Sequence, residues 1–186
     1  MDRPGIPTIT TARLVLRPFT RADLDALVPI HADPSFWWYP LRSAMSEDQT
    51  VDFLARVIER YDSDGFGVEA LVDRESGGLI GWAGLAVPHF LPEILPAVEV
   101  GWRLAAPYRR RGLATEAGAA AVRWGFTEGG LHRIVSIYEP ENAPSGRVMK
   151  RLGFTHWLST TGQQHGEAID VLELTRDRWR ELGAHG

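Results

Sequence analysis

Residues 109–115, Arg109-Arg110-Arg111-Gly112-Leu113-Ala114-Thr115, place three arginines and a glycine directly ahead of an alanine-rich segment. Before them Val100, Trp102 and Leu104 alternate with Gly101 and Arg103, the period-two pattern of a strand. Pro107 cannot donate to a ladder and ends it. A strand, a basic turn and a helix start together make an anion site. The helix N-terminus offers unpaired N–H groups and the positive end of its dipole. Gly112, lacking a side chain, lets a ligand approach the backbone closely. Two linked phosphates suit such a place. The Gly-Lys-Ser/Thr ending of a Walker loop does not follow, and the Gly-x-Gly-x-x-Gly of a dinucleotide fold is absent.

The rest of the chain must position this turn. Residues 13–17 read as a first strand, closed by Pro18. Thr20 to Asp23 resembles a capping box ahead of a helical stripe of Leu24, Leu27, Val28 and His31, with His31 read as a core or boundary residue. Between Pro34 and Pro40 lie Phe36, Trp37, Trp38 and Tyr39, either a loop folded onto the core or one wall of a substrate pocket. Ser46-x-x-Gln49 opens a second helix with Val51, Leu54, Val57 and Ile58 as its buried stripe. Residues 66–72 and 79–87 form a hairpin about the turn cluster 73–78. The alanine-rich helix is expected over 115–127, stopped by Gly129-Gly130. A strand follows at 132–138, a short helix from Asn142, a strand at 169–174 and a helical end at 176–182.

Composition narrows the function classes. The 186 residues suit one domain, and 44% hydrophobic with 24% charged is ordinary for a globular protein. The absence of cysteine excludes disulfides, thiolate metal sites and a cysteine nucleophile. A net charge of −4 argues against a nucleic-acid surface and favours a cationic partner. No apolar run reaches the roughly 20 residues of a membrane span, and residues 1–5 carry no signal-peptide core, which makes the cytoplasm the default compartment.

Arg109-x-x-Gly112-x-Ala114 resembles the pyrophosphate-binding motif of the GNAT superfamily of acetyl-CoA-dependent N-acetyltransferases. A second segment, Asn142-x-x-Ser145-x-x-x-Met149-x-x-x-Gly153-Phe154, is similar to another motif of that family, about 30 residues further on. The order of elements looks like the same fold from about residue 10 to 174. Thr115-Glu116-Ala117 and the Arg13–Pro18 opening look most like the branch of ribosomal-protein N-terminal-amine acetyltransferases. The resemblance implies one α/β (α+β) domain over 1–186: a mostly antiparallel mixed sheet, with a splayed central strand pair, flanked by helices. It implies acetyl transfer from acetyl-CoA to a primary amine in a ternary complex, with no metal, no membrane and no nucleic acid; a homodimer is left open.

On that resemblance the turn Arg109, Arg110, Arg111, Gly112, Leu113, Ala114 and Thr115 would hold the pyrophosphate. The backbone of Leu104, Ala105 and Ala106 would pair with the pantetheine arm, which Asn142, Ser145 and Met149 would also meet. An amine must be neutral to attack. At pH 7 roughly a tenth of an α-amine is neutral, against well under a thousandth of a lysine amine. Glu99 is the candidate base, with Asp170, Glu167, His165 and Glu69 as rivals. Many relatives place a tyrosine acid where this chain has Met149, so Ser145 is the hydroxyl expected to protonate the leaving thiolate. Trp37, Trp38, Tyr39, Glu69 and Asp170 are expected to meet the acceptor. The acceptor is read as a protein N-terminal amine, or else a polyamine, aminoglycoside or amino acid. A non-catalytic acyl-CoA module and a peptide-binding module built on the aromatic loop are the competing classes.

Overall fold

The computed structural model describes residues 6–37, 42–162 and 166–183. Its strands are β1 (Ile9–Thr10), β2 (Leu14–Arg17), β3 (Val68–Asp73), β4 (Leu79–Ala86), β5 (Glu99–Leu104), β6 (Arg133–Tyr138), β7 (Thr155–Thr161) and β8 (Ala168–Thr175). Its helices are α1 (Leu24–His31), α2 (Glu47–Asp64), α3 (Leu113–Thr127), α4 (Ala143–Arg151) and α5 (Arg176–Gly183). One sheet runs in the order β1-β2-β3-β4-β5-β6-β8-β7. Every neighbouring pair is antiparallel except β5 and β6, which run parallel. The expected α/β sheet with a splayed central pair is therefore the observed one.

Local chemistry sets most boundaries. Ser46 Oγ accepts the Gln49 N–H at 3.2 Å, and Gln49 Oε1 accepts the Ser46 N–H at 2.8 Å, so both halves of the expected box at the start of α2 form. The expected box at Thr20 also forms, with the Thr20 N–H donating to Asp23 Oδ2 at 2.8 Å, but it opens a 3-10 turn, Arg21–Asp23, that precedes α1. Asp23 turns back to Arg17, which donates to both carboxylate oxygens at 2.9 and 2.6 Å. α3 starts two residues before its expected first turn, because Gly112 at φ +80° bends the chain straight into it. β7 is absent from the sequence reading. A register shift between His156 and Leu158 breaks its period of two and leaves it without a legible apolar face.

The two faces of the sheet are covered separately. α1 and α2 pack Leu27, Leu54 and Val57 with Phe19 and Ala70 on one side. On the other, α3 buries Leu113 and Ala117 against Leu14, Leu16, Leu71 and Ile80. Each fully buried leucine or isoleucine there contributes about 1.5–3 kcal/mol. The alternation of β5 divides its residues between the faces. Val100 and Leu104 enter the cores on the α3 side, and Glu99 and Gly101 line a cavity against α2.

Candidate active site

β5 and β6 meet at one registered pair, Glu99 opposite Val135. The Val135 N–H donates to the Val98 carbonyl at 2.9 Å, and Ser136 Oγ donates to the Val100 carbonyl at 2.9 Å. Beyond these bonds the two strands diverge. The split opens a cavity of about 330 Å³, lined among others by Glu99, Gly101, Arg103, Tyr138, Glu139, Asn142, Ser145 and Glu167. The Ala105 N–H is held by the Ile80 carbonyl at 2.8 Å. Antiparallel alternation therefore turns the backbone polar groups of Val100, Trp102 and Leu104 toward the split. Leu104's carbonyl already accepts Arg109 Nε at 2.8 Å. Of the backbone expected to take an extended ligand, Leu104 O and Ala105 N–H are thus engaged within the protein. Trp102, nearer the middle of the split, was not in the expected set.

Glu99 also lines a second cavity of about 210 Å³, which lies under α2 and shares Trp82, Glu99 and Gly101 with the first. Its carboxyl is lifted to about 8, chiefly by burial; the Arg103 charge and an N–H from Ile137 oppose that shift only in part. A carboxyl in this range is about one-tenth ionised at pH 7 and half ionised near pH 8, and its ionised form takes up a proton readily. Arg103, four residues along the same face, is pulled down to about 10 by burial, with Glu99 opposing. Its guanidinium donates to the Phe36 carbonyl at 2.8 Å and sits 4.6 Å from the Trp37 ring centre and 5.5 Å from that of Trp82.

The basic turn has the geometry of an anion cradle. Arg110 at φ +60° and Gly112 at φ +80° both lie in the left-handed region. The first intrahelical bond of α3 runs from the Glu116 N–H to the Gly112 carbonyl, so the amides of Leu113, Ala114 and Thr115 have no helical partner. Gly112 supplies no capping side chain. Glu116, which the sequence reading left without a role, anchors this turn. It accepts Arg13 Nε at 2.7 Å, the Arg13 N–H at 2.8 Å and Thr11 Oγ1 at 2.7 Å. Arg13 in turn donates to the Arg111 carbonyl at 2.8 Å. The arginines differ in freedom: Arg109 is tied to Leu104 and to Ser35 Oγ, while Arg110 and Arg111 are exposed. Leu113's side chain belongs to the core, leaving only its amide for a ligand.

Across the split, after the C-terminal end of β6, Asn142 caps α4 by accepting the Ser145 N–H at 3.4 Å, and both residues line the larger cavity. Met149 does not: at 1% exposure it is a core residue beneath α4, because the turn spacing that places it after Ser145 aims it at Val122 and Leu172. Tyr138 and Glu139 line the cavity although neither was singled out; the strand alternation before Asn142 could have found Tyr138. Its hydroxyl donates to Asp170 Oδ2 at 3.4 Å. Glu139 is buried and paired with Arg42 at 2.6 Å.

Several expected acceptor contacts lie elsewhere. Asp170 is not among the lining residues; it accepts Ser159 Oγ at 2.6 Å on the β7–β8 ladder. Glu69 shares its strand face with Leu71, on the α3 side, away from the two cavities that meet at Glu99. Burial alone lifts its carboxyl to about 8. Trp37 is 4% exposed, packed on His31, Phe53 and Trp82, and lines neither cavity that meets at Glu99. Its ring faces the protein's own Arg103, so this part of the aromatic loop serves as core rather than as a cation-holding wall. Trp38, Tyr39 and His165 lie outside the described residues. His31 is fully buried, bonded to Thr50 Oγ1 at 3.3 Å and lowered to about 4 by burial, so it stays neutral, as a core histidine should.

The profile of the acetyltransferase (GNAT) domain family matches residues 13–155, which include the basic turn, the split strands and α4. The chain belongs to this family. It is 31% identical over 145 residues to the uncharacterized N-acetyltransferase YnaD of Bacillus subtilis, covering 78% of this chain and 81% of that protein. It is 28% identical over 190 residues to the [ribosomal protein uS5]-alanine N-acetyltransferase of Escherichia coli, covering 96% and 90%. A solved acetyltransferase from Agrobacterium tumefaciens superposes with a TM-score of 0.75 at 28% identity, covering 91% of this chain and 94% of that one. In this GNAT domain the basic turn follows β5 and α4 follows β6, the two strands whose split makes the cavity, and Glu99, Asn142 and Ser145 are among its lining residues. No helix among the described residues is long and apolar enough to cross a membrane.

Proposed function

We propose that this GNAT acetyltransferase moves the acetyl group of acetyl-CoA to a primary amine by direct attack in a ternary complex, and that the amine is a protein or peptide N-terminus. One observation carries the reading: a half-buried carboxyl lifted to about 8, Glu99, stands where the strand split, lined also by Asn142 and Ser145, meets a second cavity. The unpartnered amides of Leu113, Ala114 and Thr115, with Arg110 and Arg111 exposed beside them, fit a pyrophosphate. Asn142 and Ser145 line the path an extended arm would take from that turn into the split.

In the reaction an N–C bond to the acetyl carbonyl carbon forms as its C–S bond breaks. Glu99 accepts the proton the amine loses, directly or through a water. Ser145 Oγ donates one to the departing thiolate, and water can replace it there. Burial favours the neutral carboxylic acid, so Glu99 gives up its proton only toward pH 8. That matches an α-amine, which is itself largely neutral only near that pH. The likeness to a relative named for ribosomal-protein alanine acetylation supports the N-terminal reading of the acceptor. The test is acetyl-CoA consumption across a panel of short peptides with free N-termini, the same peptides blocked, polyamines, aminoglycosides and free amino acids. Turnover confined to free N-termini is the expected result; turnover only with polyamines or aminoglycosides would move the acceptor class, and none with any amine would leave a binding module.

A further inference from the structure

The cavity under α2 differs in character from the one between β5 and β6. Its walls are Phe53, Val57, Phe66 and Trp82, with Phe53 stacked on Trp82 at 6.0 Å between ring centres. Arg56 and Arg60, one turn apart on α2, line it from its exposed side. Neither has an ion pair among the described residues; Asp64, which accepts Ser63 Oγ at 2.8 Å, also lines the cavity and sets one negative charge against their two positive ones. The cavity in the split is lined instead by Glu99, Glu139 and Glu167 against Arg103 alone.

We infer that the cavity under α2 is the acceptor's own site, and that it selects an amine borne on an apolar residue followed by acidic ones. The inference rests on the acetyl-transfer reading above and adds the acceptor's chemistry to it. Asn142 and Ser145 assign the split to the acyl donor's arm, so the second substrate must reach Glu99 from another side. The α2 cavity is the other described opening on that carboxyl. An amine at Glu99 leaves its own side chain against the apolar walls. The chain that follows leaves past Arg56 and Arg60, where two unpaired cations favour carboxylates and repel lysines. The net charge of −4 points to a cationic partner, but at this mouth Arg56 and Arg60 outweigh Asp64. Polyamines and aminoglycosides are disfavoured by the same two arginines.

The test titrates CoA-saturated full-length protein by calorimetry with two peptides. Both have a free amine and the same apolar first residue; one continues in glutamates, the other in lysines. Exposed charge pairs are individually weak, so the expected preference for the acidic peptide is about five- to tenfold, shrinking as salt rises. R56E/R60E, both at exposed helix positions, should invert that preference while CoA affinity stays unchanged. Equal affinities, or a preference that survives the double reversal, would overturn the inference. The two readings fail separately. Acidic preference without acetyl-CoA consumption keeps this site and sinks acetyl transfer; consumption with no regard to peptide charge keeps the transfer and sinks this site.

Discussion

Two cavities meet at Glu99 and share Trp82 and Gly101, yet they are built from different parts of the fold. The one between β5 and β6 exists because two parallel strands hold a single registered pair before diverging, and its polar lining comes from strand ends and the start of α4. The one under α2 exists because a helix spans the sheet over a glycine-containing strand face, and its lining is aromatic with cations at the mouth. A backbone split offers unpaired N–H and C=O groups and suits an extended polar arm. A helix-covered hollow offers side chains and suits recognition of shape and charge. One carboxyl serves both, which is the arrangement a two-substrate transfer requires.

The strongest way to break the pairing is to remove what the cavities share. Glu99→Gln should lower kcat by about 10²–10⁴-fold with CoA affinity retained. It should also remove the limb of the pH–rate profile that rises toward about 8, since the ionised form of this raised carboxyl is the one that accepts a proton. Steady-state rates across pH with a saturating peptide would show both; a variant that keeps near-normal turnover and the same limb places the base elsewhere.

Changes confined to the donor side should be smaller and should leave the acceptor untouched. Gly112→Val adds a branched side chain at φ +80° beside the unpartnered amides, and should weaken CoA about ten- to hundredfold by calorimetry. Arg111→Ala removes an exposed charge that lies 5.7 Å from the Tyr108 ring centre while keeping the backbone carbonyl tied to Arg13, and should cost less, about threefold to tenfold. Acceptor KM should stay level in both. If it rises along with the CoA constant, the cavities are coupled rather than separate.

Ser145→Ala sharpens the donor side further. Asn142 accepts the Ser145 backbone N–H, which alanine keeps, so α4 remains capped and only the hydroxyl is lost. Water can replace the proton donor, so kcat should fall by about tenfold or less.

Glu69→Gln is the control outside both cavities. Its carboxyl is raised to about 8 by burial, so the folded protein favours the neutral acid while the unfolded chain ionises above its ordinary range near 4.5. Unfolding then releases a proton between those values, and native stability falls as pH rises through them. The amide should raise Tm by several degrees at pH 8 and by little at pH 5, with kcat unchanged at either. A loss of activity without a change in Tm would return Glu69 to the acceptor site.

The sequence by itself determined what local chemistry decides. The Ser46–Gln49 box, the alternation through β5 and the glycine ahead of α3 are short-range patterns, and each formed where its residues stand, whereas β7, with its broken period, left no such pattern. The two motifs flanking the split were legible for the same reason, as each spans one turn or one helix start. The tertiary structure decided which neighbour each face meets. Alternation puts Glu69 and Leu71 on one side of β3, but only the packing of α3 makes that side the wrong one for an acceptor. Helical spacing puts Met149 one turn after Ser145, but only the cluster with Val122 and Leu172 makes it core. Trp37 reads equally as wall or filler until Arg103, from a strand far along the chain, occupies its ring face. The raised carboxyl of Glu99 is of the same kind. A glutamate at a strand end is ordinarily well solvated, whereas this one is half-buried where two cavities meet, one lined by α2 and the other by the end of β6.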